Sequence, residues 1–138
     1  MAEIVLADSG AIVAALDRRD QPHAWAQARF AAMAGPLTTC EAVLSECFFL
    51  LEHLHDGSAA LCRLLGRGVI RVDFSFVQSR AEILRLIGKY ESVPMSFADA
   101  CLVRLSELQD ECAVFATDSD FRIYRRNGRQ AIPLIAPR

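Results

Sequence analysis

The sequence lacks the cysteine spacing of a disulfide-linked or zinc-binding protein. Its cysteines are odd in number, and no two of them form a Cys-x-x-Cys pair. A disulfide framework or a structural zinc site would show closer spacing. Most of these cysteines lie among apolar neighbours, where cysteine behaves as a small hydrophobic residue. We therefore expect buried free thiols among the five, which are Cys40, Cys47, Cys62, Cys101 and Cys112.

Long apolar runs are also missing. No segment approaches the roughly 18 uninterrupted apolar residues of a membrane-spanning helix. The N-terminus has no basic stretch before an apolar run, since Glu3 occupies the place where a signal peptide would carry Lys or Arg. These features predict a cytoplasmic protein with no membrane association.

Lysine is nearly absent, because Lys89 is the only one among fifteen basic residues. The net charge of −2 by itself argues mildly against a polynucleotide partner. The C-terminal stretch after Asp120, however, is rich in arginine and contains no acid. Three of these arginines, Arg122, Arg125 and Arg126, are candidate phosphate contacts. An equally good explanation is that they only solvate one face of the protein.

The chain of 138 residues, of which 53% are hydrophobic, is long enough to bury one core. We expect a single domain over residues 1–138. Short apolar segments alternate with helical patterns, which predicts an α/β fold with a mostly parallel central sheet of about five short strands and helices on both faces. The predicted strands cover residues 3–7, 37–38, 69–72, 112–116 and 131–135.

Helical spacing predicts the face that each main helix buries. A helix over residues 97–108 would bury Ala98, Cys101, Leu102 and Leu105. Another helix, over residues 76–90, would bury a different set, which is Val77, Ala81, Leu84 and Gly88. A strongly apolar helix is expected over residues 40–55.

Acidic residues follow the ends of the first and fourth predicted strands. Asp8 comes directly after the first strand, and Asp118 and Asp120 follow the fourth. The carboxyl ends of parallel strands meet at one edge of a sheet, so residues 110 positions apart can share a crevice. Asp99 in the first turn of one helix and Glu46 in another helix can approach the same edge.

Several carboxylates in one crevice repel each other unless a cation is present. Mg²⁺ and Mn²⁺ are hard cations that prefer oxygen ligands. Such an ion activates water and neutralises charge that develops on phosphoryl oxygens. The pattern therefore favours a divalent-metal site for phosphodiester hydrolysis, with one ion or two.

Four of these acids also have purely structural explanations. Asp8 is well placed to cap the helix that follows it. Ser96 and Asp99 fit a capping box in which Asp replaces Glu. Asp118 and Asp120 can equally be turn formers.

The two glutamates differ in this respect. Thr38 and Glu41 fit a capping box well, so we interpret Glu41 as structural. Glu46 lies in an almost wholly apolar stretch, where an unpartnered carboxylate would cost several kcal/mol. Of all the acids, Glu46 is the hardest to explain by structure alone.

Four segments together resemble the PIN domain family, and more narrowly the VapC-type toxins of bacterial toxin–antitoxin pairs. They are IVLADS at residues 4–9, TTCEAVLSE at 38–46, SFADA at 96–100 and FATDSDF at 115–121. The resemblance covers the chain in order. It implies a PIN-like α/β/α sandwich and a Mg²⁺- or Mn²⁺-dependent endoribonuclease.

The resemblance also implies roles for individual residues. Asp8, Glu46, Asp99 and Asp118 take the family's acidic positions, Asp120 is an auxiliary metal ligand, and Thr117 supports the loop or contacts substrate. The implied partners are an RNA substrate, a cognate antitoxin that blocks the acidic crevice, and a second copy of the chain in a homodimer.

Two other interpretations remain open from the sequence. The first is a non-catalytic PIN-like module that binds RNA or protein. The complete set of acids disfavours it, because a site that has lost catalysis has no reason to keep carboxylates that repel each other. The second is a phosphatase or receiver-like α/β domain that uses Asp8. The haloacid-dehalogenase type would need a second Asp two residues later, where this chain has Gly10, and is therefore disfavoured.

Overall fold

A five-stranded, fully parallel sheet forms the centre of the computed structural model, which describes residues 3–93 and 95–137. Its strands are β1 (Ile4–Ala7), β2 (Leu37–Thr39), β3 (Ile70–Val72), β4 (Cys112–Phe115) and β7 (Leu134–Ile135), in the spatial order β3-β2-β1-β4-β7. Two short strands, β5 (Arg125–Arg126) and β6 (Gln130–Ala131), pair antiparallel beside it. Apolar runs of three or four residues suit these strands because a parallel sheet is buried on both faces.

Six helices and two single-turn 3₁₀ helices, among the described residues, connect the strands and flank the sheet. The helices are α1 (Ser9–Leu16), α2 (His23–Ala31), α3 (Glu41–Leu51), α4 (Gly57–Gly66), α5 (Arg80–Lys89) and α6 (Phe97–Glu107), with 3₁₀ turns at Val77–Ser79 and Asp120–Arg122. This arrangement confirms the predicted three-layer α/β/α sandwich with a parallel sheet. No described helix is both long and apolar enough to cross a membrane.

Helix α6 buries the predicted face, since Ala98, Cys101, Leu102 and Leu105 are all buried. It starts where expected as well, because the Ser96 side chain accepts a hydrogen bond from the N–H of Asp99 at 3.0 Å. An N-cap of this kind satisfies one of the free N–H groups of the first turn.

The face predicted for the helix over residues 76–90 is wrong. Ile83 and Leu86 are buried, whereas Val77 is 78% exposed and Leu84 is 57% exposed. Both sides of this segment carry apolar residues at helical spacing, so the pattern alone was ambiguous. Helix α5 packs against α6, and Arg104 of α6 donates to the hydroxyl of Ser79, the N-cap residue of α5, at 3.0 Å.

Two other boundaries differ from prediction. The last predicted strand divides into β6, which pairs with β5, and β7, which pairs with β4. Ile132 and Pro133 lie between them, and the carbonyl of Pro133 accepts a hydrogen bond from Val114 N–H at 2.8 Å. The helix expected over residues 40–55 ends at Leu51.

All five cysteines are free thiols, and four of them are buried, as predicted. Cys62 is the exposed one. The core combines these thiols with aliphatic side chains from the sheet and both helical layers. Its largest fully buried members are Tyr124, Phe115 and Phe121.

Candidate active site

The parallel pairing of β1 with β4 brings Asp8 close to the loop that holds Asp118. Ala7 is the register partner of Phe115, so the two strands end together. The N–H of Asp8 donates to the carbonyl of Phe115 at 3.0 Å, which continues the ladder by one residue. The sheet therefore places these acids at one edge, as the strand pattern predicted.

Asp8 is the most deeply buried of the acids, with 3% of its surface exposed. Burial is the main cause that raises its pKa from 3.8 to about 8. The negative charges of Asp99, Asp118 and Glu46 raise the pKa further, and the N–H of Ser9 opposes them. Four carboxylates from distant parts of the chain thus act on one another at this edge.

Helix capping does not account for Asp8. The residue occupies the N-cap position of α1, but its side chain makes no capping hydrogen bond. The helix starts without that contribution, because Ala11, Ile12 and Ala14 are fully buried against the core. Its carboxylate instead accepts a hydrogen bond from the Ser9 N–H and is affected by the charges of the other acids.

Glu46 is held in place by Ser9. The Ser9 hydroxyl donates to Oε1 of Glu46 at 2.7 Å, which ties α1 to α3. Glu46 is half-buried, so it is less isolated from water than its apolar sequence neighbours suggested. The reason is that α3 buries the stripe Val43, Cys47 and Leu51, and Glu46 lies beside this stripe.

Asp99 serves both as a cap and as a member of the acid group. Its carboxylate accepts hydrogen bonds from Ser96, including the Ser96 backbone N–H, which completes the predicted capping box. Burial raises the pKa of Asp99, and its hydrogen bonds with Tyr124 and Ser96 oppose that rise. The capping explanation is therefore correct without excluding a functional role.

Tyr124 is the site residue that sequence reasoning missed. Its hydroxyl donates to Oδ2 of Asp99 at 2.8 Å. Its ring is fully buried and packs edge-on against Tyr90 and Phe121, with centroid distances of 5.2 and 5.3 Å. Burial, and then the carboxylate of Asp99, raise the pKa of Tyr124 above its usual range, so it stays a hydrogen-bond donor. No local motif marks this tyrosine; only its contact with Asp99 does.

The loop after β4 carries Asp118 and Asp120, and both are exposed. The Oδ1 atom of Asp118 accepts from the N–H of Asp120 at 2.9 Å, so Asp118 also shapes the turn. The charge of Asp118 raises the pKa of Asp8 and Asp99. The charge of Asp120 instead raises the pKa of Tyr124, so Asp120 lies at the margin of the group of acids.

Gly10 allows this loop to approach α1. A Cβ atom at Gly10 would lie 2.6 Å from Oγ1 of Thr117, too close for any side chain to be accommodated without movement. Thr117 is half-buried beside Asp118. The glycine that argued against a phosphatase motif thus has a packing role at the acidic edge.

Glu41 does not form the predicted capping box with Thr38. The N-cap of α3 is Cys40, no side chain caps the helix, and Glu41 is exposed in the first turn. Thr38 is buried, and its hydroxyl accepts from Arg71 Nε at 3.3 Å instead. Glu41 is also absent from the charges that raise the pKa of Asp8.

The three candidate arginines differ in accessibility. Arg122 is exposed. The Nη1 atom of Arg125 donates to backbone carbonyls, including that of Arg122 at 2.7 Å. Arg126 is buried, and its Nη2 donates to the carbonyl of Gln109 at 2.5 Å. Arg126 therefore holds the C-terminal segment onto the end of α6 and is a poor candidate for a phosphate contact.

Among residues 3–93 and 95–137, no group of three or more His, Cys, Asp or Glu side chains is arranged so that it could hold a metal ion. The acids share an edge and influence one another, but their oxygens do not converge on one point. Asp118 in particular is turned to its own loop.

Comparison with known proteins connects this geometry to a family. No curated protein matches the chain by sequence. The crystal structure of VapC20 from Mycobacterium tuberculosis, described as a sarcin–ricin loop cleaving toxin, superposes with a TM-score of 0.75 at 20% identity, covering 84% of this chain and 91% of that one. That similarity supports the fold. The model of the PIN domain matches residues 5–127, a span that runs from β1 to beyond β5 and includes all the acids discussed above. The chain belongs to the PIN domain family.

Proposed function

We propose that this protein is a divalent-metal-dependent endoribonuclease and the toxin of a toxin–antitoxin pair. The observation that carries the proposal is the meeting of Asp8, Glu46, Asp99 and Asp118 at one sheet edge, where burial and the charges of the other three acids raise the pKa of Asp8 to about 8. Membership of the PIN family supports nuclease chemistry. The similar fold of VapC20, described as a toxin that cleaves the sarcin–ricin loop, supports RNA as the substrate class.

The chemistry of the side chains fits Mg²⁺ or Mn²⁺. These ions take carboxylate and other oxygen ligands, and the group offers only oxygen donors. A buried carboxylate beside three others is an unfavourable arrangement that a cation relieves. Asp8, Glu46, Asp99 and Asp118 would hold the ion, with Asp120 as an auxiliary ligand. When bound, the ion supplies an activated water and neutralises charge on the phosphoryl oxygens.

The surrounding residues orient these acids. Ser9 holds Glu46 and Tyr124 holds Asp99, each by one hydrogen bond at 2.7 or 2.8 Å. Such contacts fix the direction of a carboxylate before any ligand arrives. The exposed Arg122 is the proposed phosphate contact of the three arginines, and Thr117 the proposed support for the Asp118 loop.

Cleavage of RNA tests the proposal directly. The wild-type protein is expected to cut RNA with Mg²⁺ or Mn²⁺ and to stop when EDTA is added. Asp99→Asn should reduce cleavage by more than about 100-fold, because it removes a charge from the metal site. Asp110→Asn is the matched control: this exposed aspartate precedes β4 and so lies at the opposite edge of the sheet. Full activity in Asp99→Asn would contradict the assignment.

Tyr124→Phe tests the orienting role of the hydroxyl. The ring packing is retained, but Asp99 loses a hydrogen bond, so we expect Mn²⁺ affinity and cleavage to fall about 10- to 100-fold. Calorimetric titration with Mn²⁺ measures the affinity. Tyr90→Phe is the control, since the Tyr90 hydroxyl accepts from the backbone N–H of Arg125 at 2.9 Å. Equal Mn²⁺ affinity in Tyr124→Phe and wild type would refute this role.

The toxin role has its own test. Expression of the protein alone in the cytoplasm of a bacterial host should arrest growth of the host. Co-expression of the neighbouring small gene should relieve the arrest. The proposed antitoxin blocks the acidic edge, and the proposed assembly is a homodimer, which light scattering would measure. If a folded, RNA-cleaving protein has no effect on growth, the toxin role is excluded and the nuclease role is retained.

The alternative of a non-catalytic PIN-like module is distinguished by metal binding. A site that no longer binds metal has no reason to keep Asp8 buried beside three other acids. Absence of Mn²⁺ binding in calorimetry, together with intact RNA after incubation, would favour the module over the enzyme.

A further inference from the structure

An aromatic cavity lies beside the acidic edge and is not used by the proposed metal site. It has a volume of about 400 Å³, and the residues that line it include Phe74, Phe76, Phe97 and Glu41. The rings of Phe76 and Phe97 are 5.5 Å apart between centroids. They are 36% and 49% exposed, so both rings reach the surface and form one apolar patch there.

The sheet topology places this cavity at the same edge as the acids. Its residues follow the carboxyl ends of β2 and β3, whereas Asp8 and Asp118 follow the ends of β1 and β4. All four strands are parallel and adjacent in the order β3-β2-β1-β4, so cavity and acids share one edge. Neighbouring strands lie about 4.8 Å apart, so the ends of β2 and β1, which precede the cavity and Asp8, are separated by about one strand spacing. Phe97 also precedes Asp99 by two residues in the first turn of α6.

The charged residues that line the cavity determine which ligands it can bind. No Lys, Arg or His is among the described residues that line it, and Glu41 is the one carboxylate there. A phosphate would be repelled, because nothing neutralises it. An uncharged aromatic group that carries an amine is favoured instead: it can stack on the rings and donate to the Glu41 carboxylate.

We propose that this cavity binds one unpaired nucleobase of the RNA substrate, next to the bond that is cut, and that Glu41 favours bases with an exocyclic amine. Single-stranded RNA is recognised through bases that stack on aromatic side chains and hydrogen-bond at their edges. Glutamate accepts from the exocyclic amine of cytosine, and the amines of adenine and guanine offer the same chemistry. Uracil has no such amine, so the cavity discriminates against it. The inference rests on the proposed nuclease function for its place in the reaction.

Nucleosides test the cavity without requiring cleavage or metal. The full chain in EDTA is titrated with adenosine, cytidine, guanosine and uridine, and amide shifts are followed by NMR. The expected result is shifts at Glu41, Phe76 and Phe97 with the three amine-bearing nucleosides and weaker shifts with uridine. Glu41→Gln should remove the difference between cytidine and uridine. No shifts at these residues with any nucleoside would overturn the proposal, whether or not the protein cuts RNA.

Kinetics provide the second readout, on an RNA that the wild type cleaves. Phe97→Leu is expected to raise KM about 5- to 100-fold, the range of one lost base stack, with kcat within twofold. Phe97→Trp should keep the wild-type KM because it retains a stacking surface. The control is Phe49→Leu, the same change at a 68% exposed phenylalanine of α3 outside the cavity.

The outcomes separate the possible failures. A wild-type KM in both Phe97→Leu and Phe76→Leu would refute the base site and keep the nuclease. A wild type that cuts no RNA would refute the nuclease, and the nucleoside titration would still decide the cavity. If Phe97→Leu instead changes only the oligomeric state and nucleosides cause no shifts, the aromatic surface is covered by protein and the proposal is wrong.

Discussion

The Asp8→Asn variant is expected to lose RNA cleavage and, at the same time, to be more stable than the wild type without metal. Asparagine has nearly the same shape as aspartate but carries no charge. In the wild type, burial and three neighbouring acids raise the pKa of Asp8 to about 8, so its ionisation opposes folding near neutral pH. Removing that ionisation should stabilise the metal-free protein by roughly 2–5 kcal/mol at pH 8.

Two measurements check this pair of effects. Thermal unfolding in EDTA at pH 8 should show Tm about 5–15 °C higher for Asp8→Asn than for wild type. Cleavage with Mn²⁺ should fall more than about 100-fold, because the most buried acid of the site no longer carries a charge. Asp110→Asn, at the opposite edge of the sheet, should change neither quantity. A less stable Asp8→Asn protein would show that the carboxylate has a compensating partner and would contradict the proposed role.

The stability of the metal-free protein is expected to fall as pH rises from about 4 to 8. The pKa of Asp8 is about 8 in the folded protein and 3.8 for an unperturbed aspartate, so the folded state holds this proton more tightly. The corresponding stabilisation is fully present below pH 3.8 and is lost as pH rises through about 8. The raised pKa of Asp99 acts in the same direction.

Divalent metal should reverse this trend. A cation competes with the proton on Asp8, so its binding strengthens with pH and releases protons. The difference in Tm between samples with Mn²⁺ and with EDTA should therefore widen from pH 6 to pH 8. Calorimetry in two buffers of different ionisation enthalpy would measure the released protons. In Asp8→Asn, both the pH slope and the Mn²⁺ effect should be reduced; a wild-type slope in that variant would exclude Asp8 as the source.

The strand pattern determined where the acids come together. Buried apolar runs alternating with helices leave few options other than a parallel sheet, and parallel strands place Asp8 and Asp118 at one edge. The capping of α6 by Ser96 was also predictable, since it depends on residues three positions apart. These features are local or follow from the direction of the strands.

The face of a helix was predictable only where one face was apolar. Helix α6 has one such face, and the prediction was correct. The segment that forms α5 has two, and the prediction chose the side of Leu84, which is exposed, over the side of Ile83. Which of two apolar faces is buried depends on the element against which the helix packs. The local sequence pattern does not identify that element.

The roles of the polar side chains were decided by tertiary structure alone. Tyr124 reaches Asp99 from 25 residues away, and Ser9 reaches Glu46 from 37 residues away. Arg126 is buried against Gln109 although its sequence neighbours suggested a basic surface. The sequence by itself determined the sheet and the group of acids, because periodicity and strand direction follow from the chain. Only the folded structure decided which acid is most buried and what orients each one, because burial and hydrogen bonds depend on residues that the chain brings together from a distance.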